Sequence, residues 1–154
     1  MNIRTATPAD IPSLLQLERD ATTAAHWTLE QYTNLFRDGA TVRRLVLLAE
    51  TEDVPLGFLV AQHIDTDWEL ENIVVSSAER RKGIGARLLR PLMNTARQSA
   101  SGSIFLEVRE SNLPARRFYE KAGFQQSGLR KGYYRDPPED AILYTLDVRK
   151  TIQS

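Results

Sequence analysis

The segment between residues 67 and 100 changes its hydrophobic period once, and this change restricts the fold more than any other feature. Residues 67–75 (DWELENIVV) follow a two-residue alternation, which is typical of a half-buried strand. From residue 84 onward, IGARLLRPLMNTARQSA spaces its apolar residues three and four apart, which predicts a helix with one buried side. Three cations and two glycines lie close together where the helical pattern starts. The sequence therefore predicts a strand, a basic glycine loop and a helix, in that order.

Shorter patterns surround this unit and indicate a mixed α/β protein. Strands are expected at 2–6, 43–50, 55–64, 103–108, 124–134 and 140–148, and helices at about 8–20, 29–36 and 113–122. Thr7 and Pro8 are typical of a helix start, and Gly123 of a helix end. Without an internal repeat or a linker, the chain is expected to form one domain over residues 1–154.

Composition excludes several classes of function. The 154 residues include 20 basic and 20 acidic side chains, so the chain lacks the basic excess of a general nucleic-acid binder. It has no cysteine, which excludes disulfides, thiolate metal sites and a cysteine nucleophile. Its two histidines, His26 and His63, lack ligand spacing, so no metal is expected. The N-terminus has no apolar signal region and no window is long enough to span a membrane, so a cytoplasmic protein is expected.

The cluster of cations in ERRKGIG admits two interpretations from the residues alone. A basic turn exposed to solvent is one, and a binding site for an anion is the other. A Walker loop would need Gly-Lys-Ser/Thr, and a dinucleotide fingerprint would need a third glycine directly after its strand, and both are missing. Glycines at 83 and 85 leave backbone amides accessible at a helix start, where an anion is favoured.

The stretch Arg80-Arg81-Lys82-Gly83-Ile84-Gly85-Ala86 resembles the Gln/Arg-x-x-Gly-x-Gly/Ala motif of the GCN5-related N-acetyltransferases (GNAT). In that family, the loop and the helix start hold the pyrophosphate of acetyl-CoA, and the preceding strand pairs with the pantetheine arm. The resemblance implies a central, mostly antiparallel sheet of about six or seven strands with about four helices. The cofactor-binding residues that it implies are Ile73, Val74, Val75, Arg80, Arg81, Lys82, Gly83, Ile84, Gly85, Ala86 and Asn112.

The second half of the chain resembles the RimI branch of this family, the ribosomal-protein-alanine N-acetyltransferases. The matching residues are LEVRESN, then Tyr-Glu and Gly-Phe around a helix, a basic residue before Tyr-Tyr, and Glu-Asp-Ala-Ile. The resemblance implies that Glu107 is the general base, that Tyr119 is the general acid and that Asn112 contacts the cofactor.

Each of these residues also has a purely structural interpretation. Glu107 shares a strand face with Phe105, and such a glutamate is usually exposed to solvent. Asn112 can cap the following helix, and Tyr119 can be a packed aromatic residue. Glu69 and Glu71 are competing candidates for the base, because some branches of the family take it from their strand. For Tyr133 and Tyr134, core packing is the default, and the resemblance to the RimI branch offers contact with the acceptor peptide as the alternative. Arg116 and Arg117 are expected to be solvated, with an approach to the phosphates of the cofactor as the alternative.

The resemblance implies that an acetyl group passes from acetyl-CoA to an amine, and because the chain has no cysteine, direct transfer in a ternary complex is expected. The branch suggests a protein N-terminus as acceptor, with the N-terminal alanine of a ribosomal protein as the particular target. The alternative acceptors are a small-molecule amine and a lysine side chain. A different function is also open, namely that the chain is an acyl-CoA-binding module without enzymatic activity. The enzyme is expected to be a monomer or a homodimer, without direct contact to nucleic acid or membrane.

Overall fold

The computed structural model describes residues 1–21, 27–37, 43–80, 82–100 and 102–151. Within these ranges, strands and helices follow one another in the order that the sequence pattern predicts, and a short additional helix follows the last strand. The strands are β1 (Asn2–Thr5), β2 (Arg44–Thr51), β3 (Val54–Ile64), β4 (Asp67–Val75), β5 (Ser103–Arg109), β6 (Gln125–Arg135) and β7 (Pro138–Asp147). The helices are α1 (Ile11–Arg19), α2 (Leu29–Asn34), α3 (Ile84–Arg97), α4 (Leu113–Ala122) and α5 (Val148–Thr151).

The strands form a seven-stranded sheet in the order β1-β2-β3-β4-β5-β7-β6. The pairs β1–β2, β2–β3, β5–β7 and β6–β7 are antiparallel. In contrast, β4 and β5 are parallel, with Trp68 opposite Ile104 and Glu69 opposite Phe105. The predicted mixed α/β fold with a mostly antiparallel sheet is therefore confirmed.

Local signals explain where the helices begin and end. Before α1, a 3₁₀ turn at Pro8–Asp10 is closed by a capping box, in which the Thr7 amide donates to Asp10 at 2.8 Å. The predicted helix over 8–20 is thus a 3₁₀ turn followed by an α-helix. Thr28 and Gln31 form a second capping box at the start of α2. Helix α4 ends at Gly123, whose φ of 107° is the left-handed conformation that glycine adopts most easily.

The described chain divides into two compact units. Boundaries between them fall within β4 and within α3, so each of these elements contributes residues to both units. Unit 1 comprises Met1–Ile64 and Leu70–Leu92, and unit 2 comprises Asp65–Glu69 and Met93–Ser154. The core of unit 1 lies between α1, α2 and one face of β2, β3 and β4. Its fully enclosed side chains include Leu14, Tyr32, Phe58 and Val60.

A carboxylate is buried in the core of unit 1. Glu18 of α1 is 4% exposed, and its Oε1 accepts hydrogen bonds from the Tyr32 hydroxyl at 2.6 Å and from the Trp27 amide at 2.7 Å. Burial raises the pKa of the Tyr32 hydroxyl, and its hydrogen bond to Glu18 raises it further. This pair of hydrogen bonds ties α1 to α2 and to Trp27, two residues before α2 begins.

The core of unit 2 is formed by one face of β5 and β7 together with α4. On β5, Ile104, Leu106 and Val108 are buried as the strand alternation predicts. At the end of this unit, the Arg149 guanidinium donates to the carbonyl of Ala100 at 2.9 Å, and so connects α5 to the residues that follow α3.

Candidate active site

The glycine loop of unit 1 leaves backbone amides accessible where α3 begins. The helical ladder starts with the Arg87 amide donating to the Gly83 carbonyl at 3.1 Å. The amides of Ile84, Gly85 and Ala86 therefore precede the first acceptor within the helix, which is the usual situation of a helix N-terminus. Such amides attract an anion.

Gly83 adopts a backbone conformation that favours glycine. Its φ is 78°, and a Cβ atom added there would meet no described heavy atom within 4 Å. Open space and accessible amides fit the diphosphate group that the family motif implies. The requirement for glycine at this position is conformational and does not come from close packing.

Two cations of the loop, Arg80 and Lys82, are described by the structure, and both are exposed to solvent. Lys82 has a side chain that is 63% exposed and lies 3.0 Å from the Glu79 carboxylate. Arg80 is also exposed, at the end of a 3₁₀ turn at Ser77–Glu79. Arg81 lies outside the described residues. The loop thus combines exposed positive charge with accessible amides, as an anion site requires.

The last residues of β4 precede this loop in unit 1. Val74 is buried in the core, whereas Ile73 and Val75 are half-buried on the opposite face. Gly57 of β3 lies very close to this strand, because a Cβ atom there would be 2.7 Å from the Val74 carbonyl oxygen. The position of the β4 backbone therefore depends on a glycine that shows no motif in the sequence.

Glu71, a competing candidate for the base, is held in an ion pair. Its Oε1 lies 3.2 Å from Nε of Arg44 on β2, and the Glu71 side chain is only 14% exposed. This ion pair occupies one of the two carboxylate oxygens of Glu71.

Glu107 on β5 of unit 2 is not on a solvent-exposed face, contrary to the usual interpretation of such a position. Its side chain is 15% exposed, and its Oε1 lies 3.2 Å from Nη1 of Arg130 on β6. Its other oxygen, Oε2, is buried and accepts no hydrogen bond from the residues that the structure describes. A buried carboxylate oxygen without a donor is a site for a proton or for a polar group of a ligand.

A bulge in β6 brings further side chains to Glu107. Arg130 pairs with Ala141 and Tyr134 with Glu139, so three residues of β6 lie opposite the single residue Asp140. Within the bulge, the Gly132 amide donates to the Asp140 carboxylate at 2.8 Å. The bulge interrupts the strand alternation, so that Tyr133 does not follow the simple two-residue pattern of the strand.

Tyr133 and Tyr134 differ in burial and in partners. Tyr133 is 48% exposed, so core packing is the wrong expectation for it, and the Arg130 guanidinium lies 5.2 Å from its ring centroid. Burial and then the negative charge of Glu107 raise the pKa of Tyr133. The same two causes raise the pKa of Tyr134 to about 12. Both phenols are therefore neutral near pH 7 and lie within electrostatic range of Glu107.

Tyr119, the predicted acid, is buried on α4. It is 8% exposed, and its ring centroid lies 5.6 Å from that of Phe124 and 6.3 Å from that of Tyr144. Burial raises the pKa of its hydroxyl, and Tyr134 adds to the shift. A raised pKa makes this phenol a hydrogen-bond donor that gives up its proton reluctantly.

Asn112 caps α4, as its structural interpretation predicts. Its side-chain oxygen accepts from the Ala115 amide at 3.3 Å.

Arg116, in contrast, is not simply solvated. It donates to the Tyr144 hydroxyl at 3.1 Å and to the Glu110 carbonyl at 2.8 Å, whereas its neighbour Arg117 is exposed as expected.

The predicted site residues thus form two groups. Unit 1 contains the loop and the end of β4, and unit 2 contains Glu107, Asn112 and Tyr119. Within unit 2, Tyr134 interacts electrostatically with both Glu107 and Tyr119. The negative charge of Glu69, near the start of β4, also raises the pKa of Tyr133. Sequence reasoning did not identify Arg130 as a partner of Glu107, and the glycine at 132, inside a strand pattern, is the signal that could have indicated the bulge.

The described residues contain no group of three histidine, aspartate or glutamate side chains arranged for a metal ion, and His26 is outside them. None of the described helices is long and apolar enough to cross a membrane.

Comparison with known proteins defines the class of this fold and site. The chain belongs to the Acetyltransferase (GNAT) family, whose sequence profile matches residues 11–124. With its mostly antiparallel sheet and the glycine loop before α3, it is an acetyl-CoA-dependent N-acetyltransferase of the GNAT type.

Within this family, the chain is similar to ribosomal-protein-alanine N-acetyltransferases. It is 31% identical to the "[Ribosomal protein bS18]-alanine N-acetyltransferase" of Haemophilus ducreyi, over 94% of this chain and 98% of that protein. It is 44% identical to the "N-alpha-acetyltransferase RimI" of Mycobacterium tuberculosis, over 53% of this chain and only 49% of that protein. The crystal structure of the ribosomal-protein-S18-alanine N-acetyltransferase from Escherichia coli matches 96% of this chain and 93% of that chain, with a TM-score of 0.81 and 26% identity.

Proposed function

We propose that this enzyme acetylates the N-terminal α-amine of a protein, with the N-terminal alanine of a ribosomal protein as its acceptor. The observation that carries the proposal is the similarity to the Haemophilus ducreyi enzyme, which extends over nearly the full length of both chains. A ribosomal acceptor implies a cytoplasmic enzyme. The proposed chemistry uses no metal.

Acetyl-CoA supplies a thioester, from which the acceptor nitrogen takes the acetyl group while the sulfur leaves as coenzyme A. In the proposal, Arg80, Arg81 and Lys82 attract its diphosphate, and the amides from Gly83 to Ala86 bind the phosphate oxygens. The backbone of Ile73, Val74 and Val75 binds its pantetheine arm, and Asn112 adds a further contact. This assignment is supported by the accessible amides and the exposed cations of the loop.

Glu107 is the proposed general base, because its Oε2 is buried and accepts no hydrogen bond from a described residue. The acceptor nitrogen must be neutral to attack a carbonyl carbon. At pH 7, this costs about 1 kcal/mol for an α-amine with a pKa of ~8, and about 4–5 kcal/mol for a lysine with a pKa of ~10.4. A single carboxylate is therefore better matched to an α-amine than to a lysine.

Tyr119 is proposed to donate a hydrogen bond to the leaving sulfur. A thiol with a pKa of ~8.5 is a stronger acid than a phenol with a pKa of ~10, so full transfer of the phenol proton to the thiolate is uphill by about 2 kcal/mol. Burial raises the pKa of Tyr119 and makes that transfer still less favourable. A neutral, buried donor is suited to stabilising negative charge on sulfur without losing its own proton.

A set of three peptides tests the acceptor. The first begins with a free alanine and contains one internal lysine, the second has its α-amine blocked, and the third has arginine in place of the lysine. We expect the first and third peptides to gain one acetyl group by mass spectrometry, and the blocked peptide to gain none. Acetylation of the blocked peptide would instead indicate a lysine acetyltransferase.

Two matched substitutions test the base. Replacing Glu107 by Gln should lower kcat/KM by about 10²–10⁴-fold, the usual contribution of general base catalysis. Glu71→Gln removes a carboxylate that is likewise paired with an arginine but that the proposal gives no part in proton transfer, and it should change kcat/KM much less. A larger loss of kcat/KM in Glu71→Gln than in Glu107→Gln would assign the base to β4.

A further inference from the structure

The two oxygens of Glu107 have different surroundings. Oε1 lies 3.2 Å from Nη1 of Arg130, whereas Oε2 is buried and accepts no hydrogen bond from the described residues. The Glu107 side chain is 15% exposed, so its rotation is limited by packing as well as by this ion pair. The contact with Arg130 therefore fixes which oxygen remains available.

Arg130 is itself held in place. Its side chain is 56% exposed, and its guanidinium lies 5.2 Å from the ring centroid of Tyr133 in a cation–π arrangement. Tyr133 is two residues beyond the point where the bulge begins, and the Gly132 amide anchors that bulge on Asp140. The bulge thus orients Tyr133, Tyr133 supports Arg130, and Arg130 orients Glu107.

We infer that Arg130 is a positioning residue for the reaction: by binding Oε1 of Glu107, it presents Oε2 to the proton that leaves the acceptor amine. The inference rests on the proposed role of Glu107 as the base. An arginine is suited to this task because its planar guanidinium binds a carboxylate oxygen in a defined direction. As the acceptor nitrogen forms its bond to the acetyl carbon, the carbon–sulfur bond of the thioester breaks and the sulfur leaves as the thiolate of coenzyme A. The N–H proton of the acceptor passes to Oε2, and Oε1 stays on Arg130.

A comparison of Arg130→Gln with Lys131→Gln tests this inference. Both substitutions remove one positive charge from the same strand, and Lys131 is exposed and adjacent. We expect Arg130→Gln to lower kcat by roughly tenfold, a part of the total contribution of a general base, with the KM for acetyl-CoA unchanged. Lys131→Gln should leave both constants unchanged, and Arg130→Lys should recover part of kcat. Equal effects of Arg130→Gln and Lys131→Gln would overturn the inference.

A double-mutant cycle of Arg130 and Glu107 separates this inference from the proposed function. If Arg130 acts through Glu107, then adding Arg130→Gln to Glu107→Gln should reduce kcat no further. A further tenfold loss in the double variant would show that Arg130 acts by another route. If Glu107→Gln alone keeps the wild-type kcat, the proposed base is wrong, whatever Arg130 does.

A measurement on the enzyme without substrates tests the ion pair directly. The ¹³C resonance of the Glu107 side-chain carboxylate, assigned by its loss in Glu107→Gln, should shift in Arg130→Gln and stay in place in Lys131→Gln. Thermal melting of both variants provides the structural control, because it shows whether the loss of kcat comes from a loss of folded enzyme. An unchanged Glu107 resonance in Arg130→Gln would overturn the inference.

Discussion

Replacing Gly57 by alanine should disturb the β4 strand from the neighbouring strand β3. A Cβ atom at this position would lie 2.7 Å from the Val74 carbonyl oxygen and 3.3 Å from the Val75 Cα atom. Both of these are backbone atoms, so the overlap cannot be relieved by a change of side-chain rotamer. Strands β3 and β4 must move apart by several tenths of an ångström near Val74 and Val75.

The expected free-energy change follows from two opposing effects. Overpacking costs about 1–3 kcal/mol, and replacing glycine by alanine stabilises by about 0.4–1 kcal/mol because it restricts the unfolded chain. The net loss is about 1–2 kcal/mol. At about 2–4 °C per kcal/mol for a chain of this size, the Tm should fall by about 2–8 °C.

The assay combines thermal melting with calorimetric titration of acetyl-CoA. Because Val74 and Val75 belong to the strand that is proposed to bind the pantetheine arm, the Kd for acetyl-CoA should also rise, by roughly tenfold for ~1.4 kcal/mol. Gly128→Ala is the matched control, since its Cβ atom would lie 3.6 Å or more from the Leu143 side chain. We expect this control to melt at the wild-type temperature or slightly above it. A Gly57→Ala enzyme with wild-type Tm and Kd would refute the reasoning.

Three further substitutions probe unit 1. Tyr32→Phe removes the 2.6 Å hydrogen bond to the buried Glu18 carboxylate, so urea unfolding should show a loss of about 1.5–3 kcal/mol, and an unchanged midpoint would contradict this. Gly83→Ala forces alanine into a φ of 78°, so about 1–2 kcal/mol of stability should be lost together with affinity for acetyl-CoA, and a stabilised variant would exclude this explanation. Hydrogen bonds from Arg4 lower the pKa of Asp10 from 3.8 to about 2. The wild-type enzyme should therefore have a larger free energy of unfolding than Asp10→Asn above about pH 4. This difference should vanish as the pH falls through about 2, where Asp10 becomes protonated. A difference that stays constant over that range would contradict the assignment.

The elements of the fold could be predicted because each carries a local signal. The capping residues Thr7, Thr28 and Asn112 mark helix starts, and the structure confirms all three. Gly123 marks a helix end for the same reason, since only the residues near it determine its conformation. The alternation on β5 also predicted correctly that Ile104 and Leu106 face the core.

The surroundings of the site residues could not be predicted in the same way, because they depend on contacts between distant parts of the chain. The sequence places Glu107 on the face of Phe105, but the burial of its carboxylate depends on side chains of β6, more than twenty residues later. Arg116 likewise appears in a run of charged residues, and its bond to Tyr144 joins α4 to β7. Short-range patterns contain no information on such pairs.

The bulge in β6 shows why the competing bases could not be separated from the sequence. Glu71 and Glu107 are equivalent by residue type and by strand position, and each forms one ion pair with an arginine. The difference lies in the second oxygen, because Oε2 of Glu107 is buried and accepts no hydrogen bond from the described residues. The bulge, in which three residues of β6 lie opposite Asp140, separates Arg130, which binds Oε1, from Tyr133, whose ring lies beside the Arg130 guanidinium. Deletion of Lys131 shortens the bulge and should therefore lower kcat, whereas Lys131→Gln, which removes only the charge, should not. A wild-type kcat in the deletion variant would argue against a role for the bulge.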